Sequence, residues 1–375
     1  MSFAEAIKAI PRDLALQPTK VLKIKRTLSI AKLFYREALG LLELIPYGLS
    51  AKLIYLNAKN GKEIGAVDED AENSHGTISR HERKVLIKKD VRYDRLGTSE
   101  RALMDVYVPS TKSVRASTVN EEEEGEDLMT TLGRKTPMAV FVHGGVWASG
   151  ERWQFAPLAY RLAQEGICCA VISYSLFPEK RAKEQSEDVL NALRFALRMA
   201  SVFGADENRT HLVGHSAGSH LCAMALLSNN EERNKETMIM PKVKSFIGLC
   251  GVYNIETHFE YEGTRGVSML STMGRAMGGN DKFKEMSPFH IVNNYESGEN
   301  DFEHFPQTYL FSSLCDVVVP HRESKDFHDV LTKKGIKSEL KIYDDGNHGD
   351  FALGFKKHPK NLKPYHKDLV ELLLA

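Results

Sequence analysis

Gly214-His215-Ser216-Ala217-Gly218 sets a serine between two glycines, one step after the short apolar run Thr210 to Val213 and just before the helix-like Leu221 to Leu227. Strand, sharp turn and helix in that order form the setting in which G-x-S-x-G raises a serine hydroxyl clear of a sheet. Glycine at the flanking positions lets strand and helix approach closely. The N–H of Ala217, opening the helix, then points where a substrate oxyanion would form.

A second segment completes that chemistry. His143-Gly144-Gly145-Val146-Trp147 directly follows the strand-like Ala139 to Val142. An H-G-G on the loop after an early strand matches the other half of an oxyanion hole. The N–H groups of Gly144 and Gly145 face a reacting carbonyl without a side chain in the way. With Ala217 they supply two or three preorganised donors, each worth about 3 kcal/mol of barrier. Trp147 beside the hole and His215 beside the serine are candidate substrate contacts. His215 and His220 also suit structural roles.

A nucleophilic serine needs a base, and the base an orienting acid, both expected late in the chain. With 14 histidines, position must decide. His348 lies in Asp344-Asp345-Gly346-Asn347-His348-Gly349-Asp350, a loop after the last predicted strand, and is the expected base. Asp316 follows the strand Thr308 to Ser312 and is the expected acid, with Asp344, Asp345 and Asp350 as rivals by proximity. The chemistry implied is acyl transfer to water by Ser216, His348 and Asp316. There is no metal-ligand spacing and no phosphate loop, so neither metal nor cofactor is expected.

These residues must be held by a scaffold, and the chain has the size and composition for one. Its 375 residues are 42% hydrophobic, ample for a large core. Lys+Arg and Asp+Glu both total 50, so no basic excess suggests a nucleic-acid partner. Cys168, Cys169, Cys222, Cys250 and Cys315 sit in apolar contexts without C-x-x-C spacing. An odd, buried-looking set predicts reduced thiols and a cytosolic setting, or the cytosolic face of an internal membrane such as the endoplasmic reticulum. The first residues do not read as a secretory signal.

Residues 1–60 read as a helical extension. Leu33 to Leu56 is apolar but interrupted by charges and broken by Pro46, so no run reaches the ~20 residues of a bilayer span. Helices packing on the catalytic domain are expected, with peripheral membrane contact through residues 20–56 as the alternative, helped by Lys20, Lys23, Lys25 and Arg26. Residues 61–83 read as a linker. From 84 to 375 a catalytic domain begins with strands around Val85 and Leu103 to Val108, which alternates with period two like an antiparallel edge. Residues 110–136 hold Glu121 to Asp127, a solvated acidic loop. Strands then alternate with helix-length segments, predicting a mostly parallel sheet covered by helices on both faces, with the site at the strands' C-terminal ends. Residues 252–306 break this rhythm and read as a lid-like insertion.

These motifs resemble the α/β-hydrolase fold, specifically its H-G-G branch of carboxylesterases and lipases, from about residue 84 to the end. Within that branch several stretches resemble the isoprenylcysteine methylesterase family: the H-G-G-V-W segment, Tyr174-Ser175-Leu176-Phe177-Pro178, Phe203 to Arg209, Gly251 to Ile255 with His258-Phe259-Glu260 and Arg265-Gly266, and Met286-Ser287-Pro288. The resemblance implies a triad of Ser216, Asp316 and His348, an oxyanion hole of Gly144, Gly145 and Ala217, and a small-molecule or lipidated-peptide methyl ester as substrate. Kynurenine formamidases share the H-G-G-x-W loop and the triad, so formamide hydrolysis is the rival chemistry. A binding protein on a hydrolase scaffold is the rival of another class.

Overall fold

The computed structural model describes residues 84–94, 97, 99–110, 135–231, 242–268, 271–295, 302, 305–355 and 362–375, with short pieces at 18–24, 27, 48–49, 51–56 and 63–64. The acidic run Glu121 to Asp127 and most of residues 1–83 lie outside the described residues.

Among the described residues nine strands make one sheet: β1 (Glu63–Ile64), β2 (Val85–Arg92), β3 (Leu103–Pro109), β4 (Thr136–Val142), β5 (Cys168–Ile172), β6 (Ala205–His215), β7 (Val243–Leu249), β8 (Gln307–Ser313) and β9 (Ser338–Tyr343). Their order is β1-β2-β3-β5-β4-β6-β7-β8-β9. The pairings of β1 with β2, β2 with β3 and β3 with β5 are antiparallel, and all later ones are parallel. The uninterrupted apolar sequences of β4 and β5 suit strands buried on both faces.

From residue 156 onward the α-helices among the described residues are, in chain order, α1 (Ala156–Gln164), α2 (Ala182–Met199), α3 (Ala217–Glu231), α4 (Ile255–Thr264), α5 (Met273–Ala276), α6 (Pro288–Asn294), α7 (Arg322–Lys333), α8 (Asp350–Leu353) and α9 (Pro364–Leu374). Alternate residues of each strand face opposite sides. Thus Val140, Leu212, Phe246 and Leu310 pack with α2, α3 and α7, while Phe141, Val213, Ile247 and Phe311 pack with α1, α8 and α9. Two apolar layers therefore clamp the sheet. The register sets Val142 beside Gly214, Gly214 beside Gly248, and Leu249 beside Phe311. The loops after β4, β6, β7 and β8 leave the sheet at one level.

Two expectations are corrected and one is met. Within 61–83, read as a linker, Glu63–Ile64 joins the sheet by pairing with β2. The antiparallel edge expected from residues 85 to 108 is present, with β1, β2 and β3 pairing antiparallel at one end of the sheet, and within it Asp105 is fully buried. That carboxylate accepts from Arg152 Nε at 3.0 Å and from the Asp90 N–H at 2.9 Å. Finally, Cys315 is exposed, with its Sγ 3.1 Å from the Asp344 carbonyl, while the other four cysteines are buried, and all five are free.

Helical residues 51–56 rest on the α1 side of the sheet. Ala51 is buried, Ile54 and Tyr55 pack against that core, and Lys52 Nζ sits 4.9 Å over the Trp153 ring. Among the described residues no helix is long and apolar enough to cross a membrane. In the 252–306 stretch, α4 is capped by Asn254, whose side chain accepts the Thr257 N–H. Glu323 of α7 latches the start of this stretch: it accepts the N–H groups of Tyr253 and Asn254 at 3.1 and 2.9 Å and the Thr257 hydroxyl at 3.1 Å.

Candidate active site

Ser216 adopts φ 55°, a left-handed conformation that is strained for a non-glycine residue and costs about 1–3 kcal/mol. The neighbours enforce it. The Ser216 N–H donates to the Leu249 carbonyl at 2.9 Å, and the Ser219 N–H closes the turn on the Ser216 carbonyl at 2.9 Å. A Cβ on Gly214 would lie 2.5 Å from Ser219 Cα, and one on Gly218 would lie 2.2 Å from the Val142 carbonyl oxygen. Both flanking positions must therefore be glycine for α3 to start so close to β4 and β6.

The H-G-G loop faces this turn. A Cβ on Gly144 would come within 2.8 Å of Ser216 Cβ, so the backbone there lies against the serine. Among the described residues, the N–H groups of Gly144, Gly145 and Ala217 donate to no protein acceptor. Three donors beside one hydroxyl are thus left for an incoming oxygen. His143 fixes the loop from beneath. Its Nδ1–H donates to the Gly144 carbonyl at 2.8 Å, its ring stacks between Phe155 and Tyr174, and the Tyr174 hydroxyl donates to the His143 carbonyl at 3.0 Å. Burial pushes the His143 imidazole down to about 4, so it stays neutral.

Trp147 is not a substrate contact. It is 2% exposed, and its Nε1–H donates to His220 Nδ1 at 3.2 Å while His220 Nε2–H donates to the Met286 carbonyl at 2.8 Å. The indole is too large and apolar to leave outside once its single donor has an acceptor in the core. It anchors the loop, whose Val146 and Trp147 both have positive φ.

His215 likewise turns inward. It is buried, its Nε2–H donates to the His348 carbonyl at 2.9 Å, and its ring lies 4.9 Å from that of His348. Its Nδ1 would stand 3.1 Å from a Cβ on Gly144. One imidazole therefore touches the serine turn, the H-G-G loop and the His348 loop. Burial, then the charge of His348, pushes it down to about 3.

His348 Nδ1–H donates to Asp316 Oδ2 at 2.7 Å. Because Nδ1 carries the proton, Nε2 keeps a lone pair available to a hydroxyl. Asp316 Oδ1 accepts the N–H groups of Val318 and Val319 at 2.8 and 2.9 Å. Burial raises its pKa, but the charge and hydrogen bond of His348 with those two N–H groups outweigh it and hold the carboxyl below its usual range. The rival acids point elsewhere. The Asp345 carboxylate pairs with Lys363 at 2.9 Å, the Asp350 carboxylate accepts the Asn347 N–H at 2.8 Å, and Asp344 offers its carbonyl to Cys315.

Two residues beside this pair are not singled out as site residues by the sequence. Cys250, at φ 47° just after β7, sets its buried thiol against Asp316. His258, on α4 of the 252–306 stretch, is buried near enough to feel the charge of His348, and burial pushes it down to about 3. Among the described residues, Cys250, Asp316 and His348 form the cluster with metal-ligand chemistry, their donor atoms within 4.8 Å of one another. Two of the three are already joined by a proton.

Residues 128–331, more than half of the chain, match the BD-FAE family. The chain belongs to the BD-FAE family. This BD-FAE chain is 32% identical over 260 residues to the isoprenylcysteine alpha-carbonyl methylesterase of Arabidopsis thaliana, covering 68% of this chain and 56% of that protein. It is 24% identical over 275 residues to the kynurenine formamidase of Drosophila melanogaster, covering 72% and 79%. The match spans about half the length of the plant methylesterases it resembles. In three dimensions it is similar to esterase B of Lactobacillus Rhamnosis, with TM-score 0.59, 17% identity and coverage of 93% and 94%. The fold is that of the α/β-hydrolases.

Proposed function

We propose that this chain is a serine carboxylesterase working through an acyl-enzyme. The observation that carries the reading is the buried Asp316–His348 hydrogen bond at the same sheet rim as the strained Ser216 and its three uncommitted N–H groups. In the first half, His348 Nε2 takes the Ser216 proton, the alkoxide attacks the ester carbonyl, and the N–H groups of Gly144, Gly145 and Ala217 receive the oxyanion. His348 then protonates the departing alcohol. In the second half it activates water, which releases the acid and restores Ser216. Asp316 holds the imidazole tautomer and stabilises its charged form. The test is labelling by a fluorophosphonate together with hydrolysis of a short-chain p-nitrophenyl ester. Both are expected in the wild type and lost in Ser216→Ala. Equal labelling of the two, or none, overturns the reading and favours a binding protein on this scaffold.

For substrate, the likeness to plant isoprenylcysteine methylesterases supports a prenylcysteine methyl ester. Kynurenine formamidases are also among the relatives, which supports an aryl formamide as the alternative. Methanol release from a prenylcysteine methyl ester, set against formate release from N-formylkynurenine, separates them. We further infer contact with a cytosolic membrane surface through the N-terminal residues. Val21, Ile24, Leu49, Leu53 and Leu56 are all more than half exposed, beside Lys20 and Lys23. Binding to anionic vesicles that disappears on replacing these five by serine is the expected result.

A further inference from the structure

A cavity of about 520 Å³ lies between the loop after β5 and the 252–306 stretch. Its size falls in the range of small-molecule pockets, about 300–1,000 Å³. It is tied to the oxyanion loop from both sides: the Phe177 N–H donates to the Trp147 carbonyl at 2.9 Å, and the Thr272 hydroxyl donates to the Val146 carbonyl at 2.7 Å.

The lining is of two kinds. Phe177 and Phe259 give it an apolar wall, while Arg181 and Arg275 give it two guanidinium groups. The Arg275 guanidinium stands 5.9 Å from the centre of the Phe177 ring, and Arg181 Nη1 would lie 3.6 Å from a Cβ on Gly278. Both arginines are exposed, and among the described residues neither meets a carboxylate within ion-pair distance. Arg181 occupies the N-cap position of α2, where the Glu184 carboxylate accepts its backbone N–H at 3.2 Å and leaves the guanidinium to the cavity. Gly278 and Gly279 hold positive φ and project no side chain into the space. Asp281 sets its carboxylate beside Gly279, and among the described residues it forms no ion pair with either arginine, while Lys282 pairs with Glu285 at 2.8 Å.

From this we propose that the cavity binds a carboxylate on the substrate, so that the preferred ester carries an anionic group several bonds from its scissile carbonyl with an apolar stretch between. The planar guanidinium fork matches a carboxylate, and the two phenyl rings cover the intervening chain. In a methyl ester the alcohol part is too small to reach the cavity, so the anion belongs to the acid part, which for a prenylcysteine methyl ester means an attached peptide, because prenylcysteine alone carries no such group. This deepens the esterase reading of Ser216 and rests on it.

The test compares p-nitrophenyl hexanoate with mono-p-nitrophenyl adipate, which differ by a terminal carboxylate. The wild type is expected to favour the adipate in kcat/KM. Arg181→Gln/Arg275→Gln is expected to lose at least tenfold on the adipate, mostly through KM, and to stay within twofold on the hexanoate. Equal effects on both esters, or a wild-type preference for the hexanoate, overturn the proposal and leave the esterase reading standing. Calorimetric binding of monomethyl adipate to Ser216→Ala separates the two ideas: binding lost with the arginine pair supports the cavity assignment even if neither ester turns over, and binding that survives loss of both arginines overturns it.

Discussion

Asp316 Oδ2 and His348 Nδ1 meet at 2.7 Å across loops 32 residues apart in sequence. The carboxylate is fixed before the imidazole arrives, because its other oxygen is already engaged by Val318 and Val319. Asp316→Asn presents an amide that can stabilise the other tautomer. It should lower kcat about 10³–10⁴-fold with little change in KM. Asp344→Asn and Asp350→Asn should stay within a few-fold of wild type. Initial rates on a p-nitrophenyl ester decide, and an inactive Asp344→Asn beside an active Asp316→Asn would reverse the assignment.

His215 should act by placement. His215→Ala removes the donor to the His348 carbonyl and opens a gap against Gly144, so kcat should fall 10–100-fold while KM changes little. His215→Gln, which can keep a donor, should recover part of that loss. Because burial keeps the His215 imidazole neutral, neither variant should move the acidic limb of the pH–rate profile. A shifted limb would mean that His215 itself titrates in turnover.

Trp147 offers a contrasting outcome. Truncation to Ala in a closed core should cost about 3–5 kcal/mol of stability, read by urea unfolding. Trp147→Phe should keep most of the stability but lose the hydrogen bond to His220. In Trp147→Phe, KM should stay close to wild type across a panel of ester chain lengths.

Stability should fall as the solution is acidified, starting well above the carboxylate range. Burial depresses the folded-state pKa of His143, His220 and His366 to about 4 and of His211, His215 and His258 to about 3. For a group whose folded pKa lies below its unfolded value near 6.5, the unfolded chain binds the proton first. Its contribution is therefore complete above pH ~6.5 and is lost as pH falls toward 3–4, by up to ~1.4 kcal/mol per pH unit for each group. Asp316, also depressed, adds to the loss at the acidic end. Thermal unfolding from pH 7.5 to 4.5 should show Tm dropping steadily, and His211→Gln, far from the reacting groups, should flatten the slope.

The glycine-framed turns were legible in sequence because each glycine stands in a short motif at a fixed offset from a strand. Gly214 is dictated by Ser219 five residues on, while Gly144 and Gly218 meet Ser216 and Val142 across the β4–β6 pair. Order along the chain sufficed to single out His348 and Asp316. Contacts between distant segments left no such trace. Asp105 looks like an ordinary polar residue in an alternating strand until Arg152 is folded against it. Trp147 follows the oxyanion glycines and so invites a ligand role, yet its partner His220 is 73 residues away. Cys250 and His258 reach the site only through the path of the chain after β7.

The short helical piece at 51–56 alters where the molecule can be cut. Since Ala51, Ile54 and Tyr55 lean on the sheet's α1 side and Lys52 covers Trp153, a shortened protein starting at residue 61 or 84 would uncover greasy surface next to the Arg152 ion pair. Such a truncation should come out of cells poorly soluble whether or not a bilayer is involved. A version starting near residue 48 keeps that cover, and only its behaviour can report what the earlier residues are for.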